Sequence, residues 1–176
     1  MLEIGTKLPE FELLNTLDNQ EFSSDSLSAE KGKLIMFICN HCPYVVHYHE
    51  QLTEIFKEYG NKVEFVAISS NDADEYPQDG PEEMRELFSE LELDFPYLHD
   101  ETQEIAKKYK AECTPEFYLF GKNDDLVYRG RMDGSSPGSG NPTGEDLRAA
   151  IEALLTGSEI DQDQKPSMGC NIKWKN

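Results

Sequence analysis

The sequence predicts an α/β domain, with a central mixed β-sheet and helices on both faces. Three observations carry that expectation. Two apolar runs of strand length, "KLIMFIC" and "KVEFVAIS", read as buried strands of a sheet centre. The segment between them repeats its apolar residues at helical spacing. Read end to end, the elements come in the order ββ, β-α-β-α-β-α, β-β, α, a mixed sheet whose crossovers are helical.

"EFELLNT" and "EFSSDSL" flank Leu17-Asp18-Asn19-Gln20, a tight turn between two short strands. After "KLIMFIC", the apolar positions from Val45 through Tyr48, Leu52, Ile55 and Tyr59 line one helical face, and Gly60 stands where a C-cap belongs. "KVEFVAIS" leads into the polar loop "NDADEYPQDG", and Pro81 opens a helix running to about Glu90. "FPYLHD" is a short extended piece. Asp100 with Gln103 has the pattern of a capping box for a helix to about Lys110. "PEFYLF" and "LVYRGRM" are strands joined by the Lys122-Asn123-Asp124-Asp125 turn, so they pair antiparallel. A Gly/Ser/Pro-rich loop spans residues 133–144, and Thr143 caps the amphipathic helix "EDLRAAIEALL", which stops near Gly157. The expected division is a domain of residues 1–157 and a tail, 158–176, that docks on it through Ile172 and Trp174.

A net charge of −19 and a pI near 4.4 set the chain's electrostatic character. Such a field repels nucleic acid and anionic membranes and reads as an acidic surface that maintains solubility. "MLEIGTKLPEFELLNT" has no cationic leader with an apolar core, and no run approaches the ~18 apolar residues of a membrane span. The expectation is a cytoplasmic protein with mostly reduced thiols. Its four cysteines, Cys39, Cys42, Cys113 and Cys170, are too few for a stapled scaffold, and only the first two are close in sequence.

Those two form "CNHC" where a strand feeds a helix. A sulfur at a helix N-terminus meets unpaired N–H groups that favour its anion, and the thiolate is the nucleophile of disulfide exchange. Cys39 is therefore expected to have a lowered pKa, with Cys42 one turn on to resolve a mixed disulfide. His41 can add positive charge or a hydrogen bond to Cys39. A zinc knuckle is a second reading, completed from His41, His47, His49, Cys113 or Cys170, although His47 and His49 point in different directions on a helix. A single peroxide-reducing cysteine, or an idle pair, is a third.

"ICNHCPYV", "PYLHDETQEIAKKY", "CTPEFYLF" and the closing "GCNIKWK", with "YRGRMDGSSPG" before the last helix, resemble thioredoxin-fold redoxins. More closely, the chain resembles the peroxiredoxin-like branch of the AhpC/TSA family over nearly its whole length. The resemblance implies a thioredoxin-like three-layer fold with an N-terminal β-hairpin extension. It also implies that Thr114-Pro115 is a cis-proline bond facing the cysteine pair, where the preceding backbone pairs with an extended substrate, and that Gly130 lets that substrate approach. Peroxide-reducing members carry P-x-x-x-T/S-x-x-C; counted back from Cys39, Met36 and Gly32 occupy the threonine and proline positions, which implies slow reaction with peroxide.

Histidine before the second cysteine resembles strongly oxidising members of the fold and implies a potential above that of a Gly-Pro pair. The acidic residue buried in the central strand of thioredoxin is missing, and Lys33 stands only at that strand's edge. Glu116 is expected to face solvent, its alternative role being to move protons for Cys42. Cys113 is expected to be a small apolar filler near Cys39, its alternative role being a third redox thiol; a Cys113–Cys170 disulfide stays open.

The function these readings imply is a thiol–disulfide oxidoreductase in which Cys39 attacks and Cys42 resolves, aided by His41, with Thr114 and Pro115 binding the partner. A thiol peroxidase using Cys39, and a binding or scaffold module on the same fold, are the alternatives. No metal or organic cofactor is implied. The expected partners are a protein or small-molecule disulfide or thiol and a thiol reductant, for a monomer or homodimer.

Overall fold

In the computed structural model, which describes residues 1–176, the chain is organised around β3 (Gly32–Phe37), all six of whose residues are buried. Its neighbours are β4 (Val63–Ser69), parallel to it, and β7 (Glu116–Phe120), antiparallel. Outward from β4 lie β5 (Tyr97–His99), again parallel, and then the hairpin of β1 (Glu12–Asn15) and β2 (Gln20–Ser23). On the other side β8 (Leu126–Gly130) closes the seven-stranded sheet, whose order is β2-β1-β5-β4-β3-β7-β8.

The period-two alternation of a strand buried on both sides splits this sheet between two apolar layers. Leu34, Met36 and Ile38 of the β3 segment join Phe117 and Leu119 in one layer, while Ile35 and Phe37 join Tyr118 and Phe120 in the other. The first layer is covered by α2 (His49–Tyr59), α3 (Pro81–Glu90) and α5 (Glu145–Thr156). The second is covered by α4 (Glu104–Lys108), by the N-terminal residues Leu2 and Phe11, and by Ile172 of the tail. Burying one such Leu, Ile or Phe side chain contributes about 1.5–3 kcal/mol. This is a thioredoxin-like three-layer α/β fold. No helix is long and apolar enough to cross a membrane.

The helix read from Val45 to Gly60 starts earlier and is broken: α1 (Pro43–His47) and α2 meet at Tyr48. Tyr48 N–H bonds back three residues to Val45 O, and the Tyr48 phenol donates to Asp133 Oδ1 at 2.9 Å and to Ser135 O at 3.0 Å. The 133–144 loop thus holds the residue at which the helix tightens.

The two helix caps also differ from expectation. Asp100 does receive the amides of Ile105 and Ala106, but Gln103 has a left-handed backbone, and its side chain bonds Ser70 O and Lys173 O instead of closing a capping box. Thr143 Oγ1 accepts from Glu145 N at 3.3 Å, but the N-cap of α5 is Gly144, with a left-handed backbone and no side-chain cap; Asp133 Oδ2 instead takes the amides of Thr143 and Gly144, just before the helix, at 2.7 Å each.

Lys33, near the start of β3, is buried. It is 2% exposed, its Nζ 2.6 Å from Asp124 Oδ1 and 3.2 Å from Lys122 O in the β7–β8 turn. A buried ammonium needs such partners, and the turn supplies them.

Candidate active site

Beyond β3 the chain turns through Cys39-Asn40-His41-Cys42 before Pro43 begins α1. Cys42 is the N-cap residue of that helix, and Cys39 lies three residues upstream, outside it. Opposite them is Thr114, followed by Pro115 on a cis peptide bond. Cys39 Sγ is 3.4 Å from Thr114 Oγ1, and Cys42 Sγ is 3.6 Å from Thr114 O. The structure therefore brings Cys39, Cys42, Thr114 and Pro115 together.

The sulfur bonding differs from the sequence expectation. Cys42 is joined in a disulfide to Cys170, 128 residues away, with a Cα–Cα separation of 6.3 Å. Cys39 and Cys113 are free thiols. The bond follows from the course of the tail. β9 (Cys170–Asn171) pairs antiparallel with β6 (Cys113–Thr114), which sets Cys170 directly across from Thr114 and over the Cys42 sulfur. A Cys113–Cys170 bridge is thereby overturned: Cys113 stands opposite Asn171, its Sγ 3.9 Å from Ser167 O.

Cys39 is 1% exposed, and its thiol has a raised pKa, contrary to the activation expected of it. Burial is the chief cause. The Thr114 hydroxyl pulls the other way, the charge of Asp79 adds to the rise, and the amides of Cys42 and His41 counter it only in part. A hydrogen-bonded thiolate is favoured only when those bonds outweigh its lost hydration.

His41 does not turn to the sulfur as a side-chain donor. Its Nδ1 lies 2.8 Å from Asp79 Oδ2, and its ring stacks on Tyr76. Asp79 is fully buried and also accepts from Asn40 N and Asn71 Nδ2, each at 2.9 Å. Tyr97 Oη donates to Asn40 Oδ1 at 2.9 Å. This network fixes the Cys39–Cys42 turn from below. Cys39, His41 and Asp79 offer three donor atoms within 4.8 Å of one another, the one cluster here with the chemistry of a metal half-site. The knuckle read from sequence does not form: Cys42 and Cys170 are consumed by their bond, and His47 Nε2 pairs with Ser135 Oγ at 2.8 Å.

Glu116 is 2% exposed, not solvent-facing; it accepts from Glu112 N and Tyr118 Oη, each at 3.1 Å. Burial raises its pKa, and burial with the neighbouring Glu116 and Glu112 pushes the Cys113 thiol up to about 12. Gly130 has φ +137°, and a Cβ there would strike Lys165 O, so the glycine admits the protein's own tail.

Asp79, Asn40 and Asn71 do not stand out in the sequence. Asp79 is one acid among several in "NDADEYPQDG", two of them buried, and nothing local marks the one that meets the cysteine turn. Gly169 had a signal, a small residue beside a cysteine; a Cβ at this position would collide with the Thr114 carbonyl.

The model of the AhpC/TSA family matches residues 4–129. The chain belongs to the AhpC/TSA family. This AhpC/TSA member is 30% identical over 129 residues to the thiol-disulfide oxidoreductase ResA of Oceanobacillus iheyensis, an alignment covering 70% of this chain and 62% of that protein. An uncharacterized conserved protein from Geobacillus kaustophilus has the same fold at TM-score 0.96 and 48% identity, with 99% of this chain and 94% of that one covered. A hypothetical protein from Sinorhizobium meliloti matches at TM-score 0.95 and 38% identity, over 99% and 96%. More distant disulfide oxidoreductases, at 19–22% identity, share the architecture alone.

Proposed function

We propose that this protein is a thiol–disulfide oxidoreductase in which Cys42 is the sulfur that bonds the partner and Cys39 is the inner thiol that releases it. One observation carries the reading: Cys42 is bonded to a cysteine on an extended strand laid in register against Thr114, the arrangement a mixed disulfide with a partner chain requires. The relative named as a thiol-disulfide oxidoreductase supports the reaction class.

In the reducing direction the Cys42 thiolate attacks a partner disulfide. One partner sulfur bonds to Cys42, and the other leaves as a thiolate. Cys39 then attacks Cys42, the mixed disulfide breaks, and the partner's second sulfur leaves reduced. Two electrons have passed to the partner, and Cys39–Cys42 is the new disulfide. A buried thiol of raised pKa suits the inner role: it stays protonated while the partner is held, and once ionised it is intrinsically a strong nucleophile. The Thr114 hydroxyl orients it.

These roles reverse the order read from the sequence, and a pair of variants separates the two assignments. Cys42→Ser should lower insulin-disulfide reduction by about 10²-fold or more, and Cys39→Ser in a Cys170→Ser background, where no tail thiol can displace the partner, should accumulate a mixed disulfide at Cys42. A trap that forms on Cys39 in Cys42→Ser overturns the assignment, as does full turnover in both variants.

A further inference from the structure

We propose that Cys170 is a third redox cysteine of this site: the tail occupies the partner's position on Cys42, and Cys39 takes Cys42 from it. The inference rests on the roles assigned above to Cys42 and Cys39 and adds how the site opens and what fits it.

The tail is held on both sides of Cys170 by contacts that do not involve the sulfur. Upstream, Arg131 N donates to Lys165 O at 3.2 Å and Ser167 Oγ to Gly130 O at 2.6 Å. Downstream, Ile172 N donates to Glu112 O at 3.1 Å, Lys173 N to Asn71 Oδ1 at 2.9 Å, and the Gln103 side chain bonds both Lys173 O and Lys175 N. Between these anchors the pairing with β6 is two residues long, Cys170 opposite Thr114 and Asn171 opposite Cys113. Cys39 and Cys42 are each 1% exposed, whereas Cys170 is half-buried, so Cys170 offers the accessible end of the bridge. On the inner side waits the free Cys39 thiol, sharing Thr114 with Cys42.

The exchange balances without an outside oxidant. Cys39 loses its proton and its sulfur attacks Cys42 Sγ; the Cys39–Cys42 bond forms as Cys42–Cys170 breaks; Cys170 leaves as a thiolate and takes up one proton. One disulfide and one thiol stand on each side of the step. With its covalent hold gone, the two-residue β9 can leave Thr114, and that edge is open to a partner strand. The tail also defines the substrate class. The residue before its cysteine is Gly169, where a Cβ would meet the Thr114 carbonyl, so the site takes an extended polypeptide segment carrying Gly-Cys.

The test begins with the oxidised wild-type chain. It is incubated at pH 8.5 without added thiol, quenched in acid, alkylated and mapped by mass spectrometry. A Cys39–Cys42 bridge with an alkylated Cys170 should appear beside the Cys42–Cys170 bridge. If Cys42–Cys170 persists alone and Cys39 stays free, the relay is overturned, with no variant required.

A Cys39→Ser, Cys170→Ser double variant and Cys39→Ser alone are then reduced, freed of reductant, and offered the oxidised disulfide of the peptide Ser-Met-Gly-Cys-Asn-Ile. The double variant should form a mixed disulfide at Cys42 about tenfold faster than Cys39→Ser alone, because the occupied state no longer competes. Equal rates overturn the tail's role as occupant while leaving the roles of Cys42 and Cys39 intact. Failure of the peptide to bond Cys42 in the double variant instead overturns the functional reading on which the inference rests.

Discussion

Thr114 and Cys170 are direct register partners across a two-residue antiparallel pairing, and through it the end of the chain reaches the cysteine turn that follows β3. The Thr114 backbone beside the cysteines is already paired, and the sulfur on the pairing strand is already bonded.

Gly169 should be the most sensitive tail position. Gly169→Val places side-chain atoms against the Thr114 carbonyl. Relieving such a clash costs about 1–3 kcal/mol, which a two-residue pairing cannot absorb. Peptide mapping of the oxidised variant should show the Cys42–Cys170 share falling about tenfold or more. An unchanged share means that the strand pairing does not position Cys170.

Cys39 should alkylate with iodoacetamide more slowly than free cysteine at neutral pH, and faster as pH rises, since its pKa is raised. Two substitutions should move the profile in opposite directions. Asp79→Asn removes a charge that disfavours the thiolate and shifts the profile toward lower pH; Thr114→Val removes a hydrogen bond that favours it and shifts the profile upward. Shifts of the same sign in both variants contradict this account of the site.

Glu116→Gln should stabilise the fold at neutral pH. The folded-state pKa of Glu116 lies above its unfolded value, so wild-type stability is greatest with the carboxyl protonated and falls as pH rises through the folded pKa. A glutamine of the same shape avoids that loss. Urea denaturation should show the variant more stable at pH 7, with the gain vanishing below about pH 4. Cys113, relieved of one negative neighbour, should also alkylate faster in the variant.

Asp133→Ala should be destabilising. Burial works against this carboxylate, but hydrogen bonds from Ser135 Oγ and from the amides of Gly144, Ser135 and Thr143 outweigh it and hold the pKa down to about 2. Its stabilisation is therefore present above the ordinary Asp value near 3.9 and lost as pH falls through about 2. Removing the side chain strands the amides of Ser135, Thr143 and Gly144, at about 2–4 kcal/mol, while the Tyr48 hydroxyl keeps Ser135 O as its acceptor. Thermal unfolding should show the wild-type advantage at pH 7 shrinking below about pH 4.

Much of the architecture was legible because strand burial leaves a pattern in the residues themselves. "KLIMFIC", "KVEFVAIS" and the hairpin around Asp18-Asn19 occupy the places their periodicity indicates, and Pro81 begins α3. The long-range placements were not legible. Asp133 holds the amide of Gly144, the residue before α5, from eleven residues upstream, Gln103 turns from its own helix to the tail, and Glu116 is buried in spite of its charge. Each is fixed by a partner far off in the chain, which local propensity cannot report. The site shows the same limit. The C-x-x-C spacing marked the right turn, but whether Cys39 or Cys42 receives a bond depends on where residues 164–175 run, and burial, not helix-end polarity, decides the acidity of Cys39.

The anchors that flank Cys170 bear on reduction of the bridge. The hydrogen bonds at Lys165 and Ser167 on one side and at Ile172 and Lys173 on the other do not involve the sulfur, so opening the sulfur–sulfur bond by itself leaves Cys170 tethered beside Cys42. Its re-attack on Cys42 is intramolecular, at an effective concentration on the order of millimolar or above, so a dilute small thiol competes poorly with reclosure. A tethered or tightly docked dithiol reductant has the same kinetic advantage as the tail itself, and it is reductants of that kind that should open this bridge quickly.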